Sequence, residues 1–467
     1  MRKLYWYLSA YAKKHGIVFL LSVLGAVAIF SALLPTLITN LEKQNRSYIG
    51  IVGEYTLDNL PRQVTDQLSA GLTQIQADGS VAPLLAERWT IENEGKTYRF
   101  VLKQNLFWQD GEPLKPEDIQ YQFKDVETII TPNDIVFKLP DAYAPFPTIV
   151  AEPILKNSLV KHWFFFTRPT KYGISNYTIS DYSLQGQQLK ELVVDGPDER
   201  FIYRFYLTEE DAVVAFQHGA VDILPDLQKR HDIFSWPTVT VTPTVHTNRY
   251  LAIFFNIRSP LFQKNTRQAL SYVLDKDSSE LRALGPINPD SWAYLDSIKS
   301  YDKDNVRALE RLLDTLPPEP LSFELTTTSL FEKEAENIKK QWEAFGIEAV
   351  TACEASSEVE NKADCDKLKI AVRVRISNFP DLSSFQVLLV GQESPPDPDQ
   401  YALWHSEQST NFTGYKNTRI DNLLEKGRQT FDQQERTEIY QEFQQFFMED
   451  APAIFLKYLE TYEVKRQ

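Results

Sequence analysis

The chain has 467 residues and a formal net charge of −15, and 43% of its residues are hydrophobic and 24% charged. This length is too great for one ordinary hydrophobic core and suffices for two or three lobes, and the composition is that of a globular rather than a disordered protein. The acidic excess argues against nucleic acid as a partner, because a negatively charged body repels the phosphate backbone.

The N-terminal segment predicts a single membrane-spanning helix. Residues 16–39 contain no charged side chain, and an apolar helix of this length can cross a bilayer. Basic but no acidic residues precede this run, so the positive-inside rule predicts a cytoplasmic N-terminus at 1–15 and an extracellular or periplasmic body. A cleaved signal peptide is the alternative. We favour a retained anchor in the cell membrane, because the run is long and no small-residue cleavage site follows it.

The body beyond this segment is more acidic than the whole chain. Residues 1–46 hold six of the 49 basic residues and one of the 64 acidic residues, which leaves 43 basic and 63 acidic residues, a net charge of −20. Such a body repels anionic surfaces, apart from any local basic patch that the linear sequence does not reveal.

The first elements of the body predict a β-hairpin, a turn and a helix. The stretch "WTIENEGKTYRFVLK" has a Glu-Asn-Glu-Gly turn, after which apolar residues alternate along one face at Tyr98, Phe100 and Leu102. The following stretch "LFWQDGEPLKPEDIQYQF" contains an Asp110-Gly111 turn and then Pro116, which fits the first position of a helix. The helical spacing of the next apolar residues predicts a buried helix face at Ile119, Phe123 and Val126.

Later segments alternate between strand and helix patterns, which indicates a mixed α/β fold. The stretch "NRYLAIFFN" predicts a strand ending at Asn256, and "QKNTRQALSYVLDK" predicts an amphipathic helix. Residues 321–350 predict a strand, a long helix and an entry at Gly346 into another strand, which is the order of a βαβ unit. Two further helices are predicted near the C-terminus, with a break at 430–433.

Cys353 and Cys365 are the only two cysteines, and both lie in a polar segment. In an oxidising compartment they can form one disulfide, but the sequence is equally compatible with two separate thiols.

The common sequence motifs of catalytic and metal-binding sites are absent from this sequence. It contains no G-x-S-x-G, H-E-x-x-H, G-x-G-x-x-G, P-loop or C-x-x-C motif, and its six histidines show no ligand spacing. We therefore predict no catalytic residues, no metal site and no cofactor. An enzyme with dispersed catalytic residues remains an alternative, since such sites are defined by geometry.

The order of the motifs resembles family 5 of the extracellular solute-binding proteins, which deliver dipeptides and oligopeptides, and in some members nickel or sugars, to ABC importers. The resemblance covers nearly the whole body. It continues through "EEDAVVAFQHGAVDIL", "FFNIRSPLFQKNTRQALSYVLDK" and "KNTRIDNLLEKG". Its most specific part is a co-linear set of residues at Pro83, Leu85, Ala86, Trp89, Trp108, Asp110, Gly111, Pro113, Asp118 and Phe123.

This resemblance implies a bilobal, mixed α/β, periplasmic-binding-protein-like fold of the large peptide-binding class, and the apolar N-terminal run adds one transmembrane helix before it. We expect lobe I at 47–71, 159–250 and 450–467, lobe II with a trimmed extra subdomain at 72–158, and lobe III at 251–449. The expected protein is a monomer that captures a small solute, preferably a short peptide, between two lobes. It would deliver this solute to ABC permease subunits.

The resemblance also places the ligand site at "GQESPPDPDQYALWH". Peptide-binding relatives have an aspartate for the ligand's amino group where this chain has Ser394, so the neighbouring Glu393 is our first choice of carboxylate. Asp397 fits a turn better than a ligand contact, and each aromatic side chain fits a core position as well as a pocket wall. The predicted ligand-binding set is Glu393, Asp397, Tyr401, Trp404 and Asn256.

Three classes of function follow from the sequence. A transport binding protein is the first, with a sugar or a nickel complex as alternative solutes. The second is a ligand sensor that acts on a membrane signalling partner. The third is an enzyme or an inert surface protein.

Overall fold

The computed structural model describes residues 16, 22–27, 45–163, 166–276, 281–356 and 361–467. These residues belong to two compact units, Met1–Leu60 with Asn176–Pro225, and Pro61–Ser175 with Asp226–Gln467. No helix within the described ranges is long and apolar enough to cross a membrane, and most of the predicted anchor at 16–39 lies outside those ranges. The three-lobe division stays a prediction.

The first unit is built on a mixed sheet. Its strands lie in the order Thr178–Gln185, Gln188–Asp195, Glu199–Tyr206, Asn45–Val52 and Ile223–Leu227, and the last of these continues past Pro225 into the second unit. The first three are antiparallel neighbours, whereas Asn45–Val52 runs parallel to both of its neighbours. The helix Glu209–Gln217 begins where the Thr208 side chain accepts a hydrogen bond from the Asp211 N–H at 3.1 Å.

The N-terminal part of the second unit is an antiparallel sheet, and the predicted hairpin is confirmed there. The strands lie in the order Ala86–Glu92, Thr97–Leu102, Asp134–Lys138 and Glu127–Ile130. Tyr98, Phe100 and Leu102 are buried as the alternation predicted. The unit also contains the short pair Thr73–Ile75 and Val81–Pro83, the longer pair Lys156–Trp163 and Phe166–Tyr172, and the helices Arg62–Leu68 and Phe146–Ile149.

The helix predicted to begin at Pro116 is wrong. In its place is a single 3₁₀ turn, Pro116–Asp118, and Ile119 directly after it has an extended backbone. Ile119, Tyr121 and Phe123 pack against the hydrophobic core of the antiparallel sheet. Their spacing of two residues suits an extended chain, which places alternate side chains on one face, and this contact outweighed the helical pattern. Tyr121 also donates a hydrogen bond to the Val150 carbonyl at 2.9 Å, which holds the extended segment in place.

The remainder of the second unit has a layer of five strands between two hydrophobic cores. The strands lie in the order Ala453–Arg466, Val239–Phe255, Val387–Glu393, Leu321–Thr327 and Ile370–Ile376. The apolar run that ends at Phe255 serves both cores, with Leu251, Ile253 and Phe255 in one and Tyr250, Ala252 and Phe254 in the other. A strand covered on both faces needs an uninterrupted apolar sequence, which explains "YLAIFF".

Helices cover both faces of this layer. The predicted helix after Asn256 is confirmed as Lys264–Val273, and the two predicted C-terminal helices are confirmed as Thr418–Gln429 and Gln433–Asp450. Asn417 and Asp432 cap the two C-terminal helices through their side-chain oxygens. The other α-helices of this part are Asn305–Asp314, Glu332–Ala355 and Tyr401–Trp404, and its 3₁₀ turns are Asp232–Phe234, Pro260–Phe262, Ser329–Phe331 and Lys362–Leu368.

The βαβ order is confirmed, but its predicted boundary at Gly346 is wrong. The helix Glu332–Ala355 continues through Gly346, and the next strand is Ile370–Ile376, parallel to Leu321–Thr327. A Cβ at Gly346 would lie 2.7 Å from the Ile370 nitrogen. The glycine therefore permits close packing of the helix against the strand instead of ending the helix.

Of the two alternatives for the cysteines, a disulfide or two separate thiols, the structure has the disulfide. Cys353 and Cys365 are bonded to each other, and both are buried. Cys353 lies in the last turns of the long helix and Cys365 in the 3₁₀ turn Lys362–Leu368, so the bond joins two ordered elements rather than two points of a polar loop.

Candidate functional site

A cavity of about 810 Å³ lies in the second unit at one edge of its strand layer. Leu321–Thr327 runs parallel to Ile370–Ile376 and to Val387–Glu393, so the carboxyl ends of these three strands meet at that edge. Ligands of α/β proteins commonly bind at the carboxyl ends of parallel strands, where loops supply polar groups. The cavity also falls within the roughly 300–1,000 Å³ that small-molecule pockets occupy.

The three strand ends supply polar groups to this cavity. Thr328 and Ser329 follow the central strand, Asn378 follows its neighbour, and Glu393 ends the third. The Asn378 side-chain oxygen accepts hydrogen bonds from the Ser329 N–H at 3.0 Å and from the Ser329 hydroxyl at 2.9 Å. This pair ties two of the loops together at the rim.

Arg249 contributes the positive charge of the cavity and lies between two carboxylates. It is the direct antiparallel partner of Glu393, so their side chains project from the same face. The guanidinium lies 4.0 Å from Glu393 Oε2 and 3.7 Å from Asp226 Oδ2, and Asn248 donates to Glu393 Oε1 at 3.1 Å. The side chains of Arg249, Asp226 and Glu393 are 37%, 54% and 62% exposed. Ion pairs this exposed contribute at most about 1 kcal/mol, so a ligand can replace them at small cost.

His246 lies beside these charges without adding to them. Its Nε2 is 2.7 Å from the Thr461 hydroxyl oxygen and 3.8 Å from Asp226 Oδ1. Burial and the nearby Arg249 lower the pKa of His246, although Asp226 and Glu393 oppose this shift. The ring is therefore neutral at neutral pH, and the cavity wall, which also includes Glu460, keeps an excess of carboxylates over cations.

Apolar residues form another part of the wall, beside the polar Gln228, Gln392 and Thr461. Leu330, Phe331, Pro380, Val390 and Leu459 line the cavity together with Gly391. Apolar walls with a few convergent charged groups can bind a ligand that has both charged ends and a hydrophobic side chain.

Of the predicted site residues, Glu393 lines this cavity and Asn256 does not. Phe255 pairs with Val387 and Arg249 pairs with Glu393, so Asn256 follows the opposite end of the same strand pair, roughly 20 Å from Glu393 at 3.3 Å per residue. The Asn256 amide donates to the Phe385 carbonyl at 3.0 Å and accepts from the Arg258 N–H at 3.3 Å. These bonds give Asn256 the role of a turn cap.

Asp397 belongs to a different environment. Both of its carboxylate oxygens accept hydrogen bonds from the buried Arg436 side chain, at 2.8 and 3.0 Å. The two residues line a second, smaller cavity of about 200 Å³ together with Trp89, Trp292 and Phe431. Ser394, at the position where relatives have an aspartate, is also buried and donates its hydroxyl to the Pro286 carbonyl at 2.6 Å.

The two predicted aromatic residues have packing roles. The Tyr401 ring stacks on His405, with 4.1 Å between ring centroids, and the Arg428 guanidinium lies 3.9 Å from the Tyr401 ring centroid. Trp404 is fully buried and packs against Phe254 and Phe447. The structure therefore brings neither ring to the large cavity that Glu393 lines.

Sequence reasoning missed the other charged residues of the large cavity, which are Arg249, Asp226 and Glu460. The one available signal was the pair Asn248-Arg249, which is polar and stands directly before the buried part of the strand Val239–Phe255. Strand pairing was needed to place this pair opposite Glu393. Within the ranges that the structure describes, no group of three or more His, Cys, Asp or Glu side chains is placed to hold a metal ion.

Residues 80–133 and 127–396 match the family model described as bacterial extracellular solute-binding proteins, family 5 middle. The chain belongs to this family. Its members are solute-binding proteins of ABC importers and not enzymes, which agrees with the class of function that the motifs predicted. For this chain itself, the absence of enzyme activity remains a prediction.

Individual relatives are distant but span most of the chain. The probable D,D-dipeptide-binding periplasmic protein DdpA of Escherichia coli (strain K12) is 23% identical over 464 residues, which cover 86% of this chain and 84% of that protein. The structure of NikZ from Campylobacter jejuni in complex with Ni(L-His) is 20% identical, with a TM-score of 0.66, and the match covers 90% of this chain and 94% of NikZ.

A third similar protein carries a peptide on the same fold. The oligopeptide-binding protein AppA from Bacillus subtilis, in complex with a nonapeptide, is 19% identical with a TM-score of 0.62, and the match covers 91% of this chain and 95% of AppA. Together, these structures establish a mixed α/β fold of the bilobal periplasmic-binding type. Because NikZ holds a nickel complex and AppA holds a peptide, the fold alone does not determine which solute is bound.

Proposed function

We propose that this chain is a membrane-anchored solute-binding protein that captures a short peptide or a similar zwitterion and delivers it to an ABC importer. The observation that supports this ligand class is the position of Arg249 between Asp226 and Glu393 on the wall of the 810 Å³ cavity. A zwitterion needs charged partners of both signs within one small site, and this wall has both.

In this proposal the charged groups of the ligand replace the ion pairs that Arg249 makes with Asp226 and Glu393. The ligand's ammonium takes the carboxylates of Glu393 and Asp226, and its carboxylate takes the guanidinium of Arg249, which can bind it through two parallel hydrogen bonds. Its apolar side chains then contact the wall around Phe331 and Leu459. As the ligand expels water from the cavity, each new ion pair strengthens relative to the exposed pairs that it replaces.

The retained anchor at residues 16–39 is part of this proposal and rests on the uninterrupted apolar run and the lack of a cleavage signature. N-terminal sequencing of the mature protein tests it. We expect the mature chain to keep residues 16–39, and a chain that begins between Pro35 and Ser47 would show that the segment is a cleaved signal peptide.

The ligand proposal is tested by identifying the solute and then titrating it. Mass spectrometry of molecules retained by the purified protein supplies the ligand, and calorimetric titration compares the wild type with Glu393→Gln and Arg249→Met. If the ligand desolvates these charges, each change should weaken binding by about 2–5 kcal/mol and leave folding intact. Glu438→Gln, at an exposed position outside the cavity lining, is the matched control and should bind as the wild type does.

Two outcomes would contradict parts of this proposal. Unchanged affinity in Glu393→Gln and Arg249→Met would remove the cavity from the site. A retained solute without a cationic group would contradict the zwitterion and favour a sugar. Deletion of the protein should also abolish uptake of the identified solute, whereas undiminished uptake would favour the sensor alternative.

A further inference from the structure

The second cavity, of about 200 Å³, lies where the antiparallel sheet meets the C-terminal helices. Trp89 comes from the sheet, Phe431 from the break between the two C-terminal helices, and Arg436 from the second of these helices. None of the described residues lines both this cavity and the large one. A protein cavity of about 150 Å³ holds a benzene molecule, so the second cavity has room for a six-membered ring.

Hydrogen bonds and close packing fix the backbone beside this cavity. The Trp292 N–H donates to the Asp78 carbonyl at 2.9 Å, which joins the turn at 76–80 to the segment that carries Trp292. Gly79 in the same turn has a φ of +79°, and a Cβ there would clash with the Pro396 carbonyl oxygen. The cavity is therefore preformed, and a ligand does not have to supply the free energy of ordering its walls.

Aromatic side chains form the apolar walls. Trp89 and Trp292 are partly buried, and Phe431 at the rim is 37% exposed. A Cβ at Gly95 would overlap the Phe431 ring, so the glycine lets this ring lie against the hairpin of the antiparallel sheet. The faces of aromatic rings carry partial negative charge and attract C–H groups, which carry partial positive charge. These walls therefore suit a ring that presents C–H groups on its face.

The polar part of the lining is the buried ion pair of Asp397 and Arg436, which keeps hydrogen-bonding capacity. Three of the five Arg436 N–H groups donate to Asp397 and to the Gly427 carbonyl. Asp397 Oδ1 also accepts from the Asp399 N–H at 3.1 Å, whereas Oδ2 accepts only from Arg436. A carboxylate oxygen can accept two hydrogen bonds. The pair can therefore both accept from a ligand and donate to it, although its two charges neutralise each other.

We propose that this second cavity binds a neutral sugar ring. A monosaccharide offers a face of C–H groups to the aromatic walls and hydroxyl groups that both donate and accept hydrogen bonds with Asp397 and Arg436. A charged ligand fits less well, because the two charges of the lining already compensate each other. A plain aromatic ring also fits less well, since it would leave the buried polar atoms without hydrogen bonds. The proposal is independent of which solute the large cavity binds.

Fluorine NMR of the full chain labelled with 5-fluorotryptophan tests this site. The chain has eight tryptophans, and the variants Trp89→Phe and Trp292→Phe identify the two signals of interest. D-glucose, D-galactose, D-mannose and N-acetyl-D-glucosamine are titrated in turn. At least one of them should shift both signals along a saturable curve and leave the other tryptophan signals in place. Absence of such a shift with all four sugars would overturn the proposal.

Two variants and one competing ligand sharpen this test. Phe431→Ala removes an apolar wall and should weaken sugar binding by about tenfold or more, and unchanged affinity would overturn the proposal. Phe379→Ala, at a fully exposed position outside both cavity linings, is the matched control and should bind as the wild type does.

Arg249→Met separates the two cavities. The shifts of the Trp89 and Trp292 signals should persist in this variant, whereas their loss would assign the sugar to the large cavity and overturn the proposal. Phenol serves as the competing ligand. A larger shift of both signals with phenol than with any of the sugars would assign the second cavity to aromatic ligands and would also overturn it.

Discussion

Asp397 and Arg436 form a buried ion pair with two hydrogen bonds, and each side chain is only 8% exposed. The Arg436 guanidinium also donates to the Gly427 carbonyl at 2.9 Å, so one arginine connects the 397–400 segment with both C-terminal helices. This arrangement gives Asp397 a part in folding that a simple turn residue does not have.

Removing one partner of this pair should destabilise the protein strongly. Asp397→Asn leaves the Arg436 charge buried without its counter-ion, and we expect the free energy of unfolding to fall by about 3–5 kcal/mol. Urea denaturation measures this change, and Asp141→Asn, at an exposed position, should change it by less than about 0.5 kcal/mol. A small effect in Asp397→Asn would mean that water or a neighbouring group takes over the lost charge.

The disulfide should contribute to stability and leave no free thiol. Cys353 and Cys365 are separated by 12 positions, and closing a loop of that size stabilises a protein by about 3 kcal/mol in the chain-entropy account. Replacing both residues by alanine should lower the free energy of unfolding by about that amount. Thiol labelling under denaturing, non-reducing conditions should find no free sulfhydryl, and stoichiometric labelling of both would disprove the bond.

Gly346→Ala tests the close contact between the long helix and its strand. Alanine is favoured over glycine within a helix by about 1 kcal/mol, but its Cβ would lie 2.7 Å from the Ile370 nitrogen. We expect the clash to dominate and to lower the free energy of unfolding by about 1–3 kcal/mol. Lys340→Ala, at an exposed site of the same helix, controls for helix propensity. A Gly346→Ala protein more stable than the wild type would show that the strand gives way readily.

His246 should make stability depend on pH. Burial and Arg249 lower its pKa in the folded state, so the unfolded state binds the proton more tightly. The stability that depends on the neutral ring is present above the unfolded pKa of about 6.5 and is lost as the pH falls through the folded pKa. Denaturation at about pH 7.5 and about pH 5 should show a larger loss in the wild type than in His246→Gln. Equal losses would assign the pH dependence to other groups.

Local sequence patterns predicted those elements whose partners lie close along the chain. The hairpin before Leu102, the helix Lys264–Val273 and the break between the two C-terminal helices follow from turn residues and apolar periodicity. The co-linear motifs also sufficed for the family, because they mark a framework that recurs in the same order. Two predictions were wrong because distant contacts outweighed local preference. These are the helix predicted to begin at Pro116 and the helix end predicted at Gly346.

The predicted site depended on contacts that linear spacing does not contain. Glu393 was a reasonable choice from its loop, but its opposite charge, Arg249, lies 144 positions earlier and is brought beside it only by strand pairing. The same pairing separates Asn256 from this cavity, and burial assigns Trp404 to the core and Asp397 to an ion pair with Arg436. The sequence by itself therefore determined the family, the acidic body and most local elements. Only the tertiary structure decided which charges share a cavity, because that depends on register and burial between distant segments.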